Sequence, residues 1–114
     1  MRSWIVPTAF LSLVGGGCAP QTPEQARIDN IEDAAEAQAD TIESASKNQI
    51  GRIRAEADTL SGQAELANGF DAERLRTRAE ALEKEAKIVE RHAKAQVQAV
   101  RDRARADVSA IKAQ

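Results

Sequence analysis

A chain of 114 residues has room for one domain, and this one is 30% charged, 3% aromatic and carries a formal net charge of −2. Trp4 and Phe10 lie near the N-terminus, leaving Phe70 as the lone aromatic of the rest. A compact core built on large side chains is thereby excluded, and an Ala-, Glu- and Arg-rich composition points instead to long helices.

The first residues read as a secretory signal. Arg2 is basic, Trp4 to Val14 is an apolar run broken by Pro7, and Gly15-Gly16-Gly17 supplies small residues before the single cysteine, Cys18. The run is shorter than the roughly 20 apolar residues a membrane span needs. A free thiol in an exported chain would be reactive, and the Val14-Gly-Gly-Gly-Cys18 segment resembles the signal of small bacterial lipoproteins. Gly15 stands where that pattern usually has leucine. The resemblance covers the signal alone. It implies cleavage after residue 17, lipid (palmitate among it) on Cys18 as the new N-terminus, and a place in the cell envelope. Ala19, rather than aspartate, next to the cysteine implies the outer membrane facing the periplasm over the inner membrane. The other readings are an ordinary signal with an unpaired cysteine, or an uncleaved anchor.

Residues 18–22 form the lipidated cysteine and an extended spacer, because Pro20 and Pro23 disfavour helix in the residue before them. Thr22-Pro23-Glu24-Gln25 is a complete helix start: Thr22 caps, Pro23 takes the first helical position and Gln25 closes a capping box. Helix 1 is expected over 23–67, with Gly51 and Gly62 as weak points and a kink or fray near Leu60 to Gly62. Asn68-Gly69 then stops the helix, since both residues tolerate left-handed backbone. The turn covers 68–70, and Asp71 is placed as N-cap of helix 2, over 71–113.

Apolar residues recur at intervals of eleven. Ile31, Ile42 and Ile53 carry the series in helix 1, and Leu75, Ala86, Val97 and Val108 carry it in helix 2. Leu82, Val89, Val100 and Ile111 belong to the companion rows. Eleven residues over three turns is a hendecad repeat, close to a straight helix, and a heptad reading slips out of phase. Folding the chain at Asn68-Gly69 brings the stripes into one register, in which the numbers of facing residues add to 139: Ile28 with Ile111, Ile42 with Val97, Ile53 with Ala86, Ala57 with Leu82. The arms also differ in charge. Four bases against ten acids give Glu24 to Ala67 a charge of −6, whereas eleven bases against eight acids give Asp71 to Gln114 a charge of +3. Glu36 with Arg103, Arg54 with Glu85, and Glu65 with Arg74 fall at equal heights and are the expected ion pairs.

The expected fold is all-α: two long antiparallel helices in a helical hairpin with 11-residue packing. So small a core is marginal alone, and a homodimer forming a four-helix bundle, or a protein partner, would relieve it.

Candidate chemistry is thin. His92, the only histidine, sits among Arg91 and Lys94 with no second metal-type ligand near it in sequence. No glycine loop of phosphate-binding type is present, and the carboxylates are spread along the arms among bases rather than gathered in a cleft. An exported chain without stacking aromatics gives no reason to expect nucleic acid. No enzyme, metal, cofactor or small-molecule substrate is therefore expected. The expected role is a non-catalytic envelope lipoprotein serving as a structural or protein-binding coiled-coil hairpin. It is similar to the murein lipoprotein as a small, Ala-rich helical rod. It ends Ile111-Lys112-Ala113-Gln114, without the terminal lysine used for cell-wall attachment, so covalent peptidoglycan linkage is not expected. Two alternatives stay open: a lipid-surface or stress-protective protein of 11-residue repeats, partly disordered until bound, and a small lysis or toxicity lipoprotein.

Overall fold

A computed structural model of the protein describes residues 21–114; the segment expected to be a signal, Cys18 and most of the expected spacer lie outside them. Two α-helices, α1 (Pro23–Leu66) and α2 (Gly69–Lys112), pack against each other in an antiparallel hairpin. Each has 44 residues, which at 1.5 Å per residue makes a rod of about 66 Å.

The start of α1 follows its local signal. Thr22 has extended backbone and its hydroxyl accepts from the Gln25 N–H at 3.1 Å, while Pro23 opens the helix. The capping box is only half made. The Gln25 amide donates forward to Asp29 at 2.8 Å, and Gln21 donates to the same carboxylate. Asp29 thus ties the spacer to the second turn.

The hinge is tighter than expected. Ala67 and Asn68 are the two non-helical residues, both extended, and α2 begins at Gly69 rather than Asp71. Asn68 is the N-cap residue, without a side-chain cap bond, and Asp71 lies in the first turn, where its charge complements the helix N-terminus. Only Gly69 is left-handed, with φ +61°. Of the two residues that tolerate that backbone only Gly69 uses it, because one reversal, following two extended residues, is enough to bring α2 back along α1. At the far end α2 stops at Lys112, one residue short of the expected limit, with the Ala113 N–H donating to the Ser109 carbonyl at 3.1 Å.

α1 also runs unbroken through Gly51 and Gly62. Both lie exposed, with open space where a Cβ would stand. They weaken the helix through backbone entropy without interrupting it.

The glycines supply a test of opposite signs. Gly62→Ala is expected to raise stability by about 0.5–1 kcal/mol, and Gly69→Ala to lower it by about 1–2 kcal/mol. Urea unfolding followed by circular dichroism measures both.

Candidate interaction surface

The seam between the helices is where sequence and packing meet. Twelve levels, from Ile28 with Ile111 down to Ala67 with Ala72, pair residues whose numbers add to 139, and every one of these residues is buried or half-buried. Ile28, Val108 and Ile111 form a cluster at the open end, with Ile31 packed on it. Further along, the centre of the seam is alanine. The residues at 1% exposure or less are Ala39, Ala57, Ala64 and Ala86. Small side chains here let the axes approach closely, and each is matched at its level by a larger one: Val100, Leu82, Leu75 and Ile53 respectively.

The repeat is not hendecad throughout. Between Ile28 and Ile53 the seam positions step 3-4-4, as expected. From Ile53 to Ala67 and from Ala72 to Ala86 they alternate threes and fours, the heptad spacing. The change occurs at the same level in both helices, so the register is kept. Ala72 and Ala79, at 4% and 5% exposure, are seam residues that the apolar pattern did not reveal. Their signal is the seven-residue series Ala72, Ala79, Ala86, Ala93, which is inconspicuous in a chain full of alanine. Of the eleven stripe residues singled out above, Ile53, Ala86, Val97, Val108 and Ile111 are buried. Ile31, Ile42, Leu75, Leu82, Val89 and Val100 are half-buried.

The ion pairs depart from the equal-height expectation in a regular way. Glu36 meets Arg101 at 3.5 Å, not Arg103, and Arg54 meets Glu83 at 3.9 Å, not Glu85. No Glu65–Arg74 pair forms among the described residues; Arg78 reaches Glu56 at 3.9 Å instead. The cause is geometric. In antiparallel helices two off-seam residues at one height rotate to opposite sides, so flank neighbours sit about two residues up or down. Accordingly Glu36 shares a surface depression with Arg101 and Arg105, while Arg103 lines one on the other side with Ala34 and Gln38. All of these pairs are exposed, and each contributes about 0–1 kcal/mol.

The two flanks therefore differ. One is charged, with its signs matched in blocks. Glu32, Glu36 and Glu43 lie alongside Arg105, Arg101 and Lys94, and then the order reverses, with Lys47 and Arg54 alongside Glu90 and Glu83. A slip of eleven residues would keep much of the stripe but set Lys47 against Arg101 and Arg54 against Lys94. The charged flank thus disfavours the registers that the apolar repeat leaves open. The opposite flank is largely neutral, with Thr41, Ala45 and Gln49 alongside His92 and Gln96. His92 is exposed there. Leu66 and Phe70, at 89% and 73% exposure, form an apolar tip beside the hinge.

The comparisons can be set against this geometry. None of the family models, curated proteins or solved structures compared with the chain matches it. The chain's own residues must therefore carry its functional reading. Among the described residues, no cluster of three or more His, Cys, Asp or Glu is disposed to hold a metal ion, and no helix is long and apolar enough to cross a membrane.

The alanine centre predicts strong sensitivity to added bulk. Ala86→Leu, opposite Ile53, is expected to lower stability by about 1–3 kcal/mol. Glu36→Gln, on the flank, should change it by less than about 1 kcal/mol. Thermal melts of the two variants give the comparison.

Proposed function

We propose that the protein is a non-catalytic envelope lipoprotein, anchored by lipid on Cys18, that uses its hairpin as a rigid periplasmic rod for structural or protein-binding purposes. The observation that carries this reading is the placement of the hairpin's ends. α1 is capped at Thr22, four residues after Cys18, and α2 returns to the same end, so the hinge stands about 66 Å away. A chain so arranged holds its seam and flanks at a set distance from the anchoring surface and presents Leu66 and Phe70 at the far tip. Exposed large apolar side chains such as Phe70 and Leu66 offer area that a partner's apolar pocket can bury. Ala19 after the cysteine supports the outer membrane as the anchoring surface.

In this reading the lipid is the only membrane attachment. Cys18→Ser is expected to abolish incorporation of labelled palmitate in growing bacteria and to leave an unprocessed precursor or a soluble form. Equal labelling of the wild type and the variant would contradict it.

A further inference from the structure

We infer that the neutral flank is the docking surface for a second copy of this chain, laid alongside in the same direction to form a four-helix bundle. The inference deepens the proposal above by naming the partner.

The apolar content of this flank comes from the seam itself. Ile31 and Val100 are half-buried and line one depression of the flank, and Ile42 and Val89 line the next. The hairpin thus leaves part of its largest seam side chains open on this side. On this flank α1 presents Ala34, Gln38, Thr41, Ala45 and Gln49, and α2 presents Ile88, His92, Gln96 and Ala99; the charges that reach it are Arg103 and Asp107, at the open-end edge of the Ile31–Val100 depression. Ile88, at 56% exposure, is one of three large exposed apolar residues among those described. Uncharged small and amide side chains at this spacing can be covered by another helix without stranding a charge.

Charge chooses the occupant. The neutral stretch is bounded toward the open end by Arg27 on α1 and by Arg103 and Asp107 on α2, and toward the hinge by Arg52 and Glu85. Among the described residues none of these five makes an ion pair within the hairpin. When a second copy lies on this flank in the same direction, related by a two-fold axis along the rod, α1 of each copy covers α2 of the other at equal height. Arg52 then meets Glu85 of the second copy within about 3 Å of axial offset, and Arg27 meets Asp107 within about 8 Å. Each pair forms twice. The same direction also keeps both anchors at one end.

The area suffices. From Arg27 to Arg52 is about 38 Å, and two helices side by side are about 20 Å wide. This makes on the order of 750 Å² per copy, within the range of stable interfaces, which bury roughly 1,200–2,000 Å² in total.

The test uses the full chain carrying Cys18→Ser in a large excess of mild detergent, so that its failure leaves anchoring at Cys18 untouched. Sedimentation equilibrium should show a concentration-dependent dimer. Ala45→Glu, on the exposed neutral flank, should raise the dimer dissociation constant roughly tenfold or more by placing an unpaired carboxylate in the interface. Ala37→Glu, on the outer face, should leave it unchanged, and helicity should stay constant in both. Spin labels on Cys replacing Leu66 should lie within about 40 Å of each other across the dimer, against about 65 Å if the copies run end for end. A monomer at all concentrations, a dimer indifferent to Ala45→Glu, or the longer label distance would overturn the inference.

Discussion

The structure depends on one constraint: two alanine-rich helices must meet at a single register for either to bury anything substantial. At the open end Ile28, Ile31, Val108 and Ile111 pack large against large. Alanine buries little area by itself, so around its alanines the seam gains stability where a small residue on one helix sits level with a large one on the other. The levels that pair Ala39 with Val100, Ala57 with Leu82 and Ala64 with Leu75 satisfy this, and the most deeply buried positions are the alanines. In the hinge half, a shift by one level would set alanine against alanine and Leu60 against Leu75, leaving voids in one place and crowding in the next. The hinge is subordinate to this seam. With Ala67 and Asn68 between the helices and Gly69 left-handed, it is a short connection that delivers the register.

Electrostatics completes the selection. A repeat of equal period in both arms offers several registers of similar apolar burial, and no individual surface pair is strong enough to choose among them. The block reversal along the charged flank, acids then bases on α1 against bases then acids on α2, makes the neighbouring registers repulsive at several points at once. Its companion feature is the neutrality of the other flank. With charge concentrated on one side of the seam, the opposite side keeps surface that another helix can cover.

Most of the architecture was legible in the residues. The Thr22-Pro23 start, the stop before Gly69 and the common register follow from capping chemistry and periodicity, which act locally or along one helix. Three features were not legible, each for a physical reason. The heptad section near the hinge is carried by Ala72 and Ala79, whose small size conveys little contrast with exposed alanines such as Ala81 and Ala95. The ion-pair partners depend on the opposite rotation of the two helices, which residue height alone does not contain. The start of α2 depends on where the backbone reverses, and Asp71 is equally at home as a cap or in the first turn. The proposed function rests mainly on Cys18 and its surroundings, read from the sequence as an address, and the comparisons with known proteins add no constraint on the rest.

The register is tested most directly by cross-linking. In a chain carrying Cys18→Ser, cysteines at Ile42 and Val97 should form a disulfide within one molecule under mild oxidation. Cysteines at Ile42 and Val108, displaced by about 16 Å along the axis, should not. The products are distinguished by non-reducing mass analysis at high dilution. Intramolecular linkage confined to the Ile42–Val97 pair is the predicted result; linkage only between chains, or equal linkage of both pairs, would contradict a hairpin held at one register.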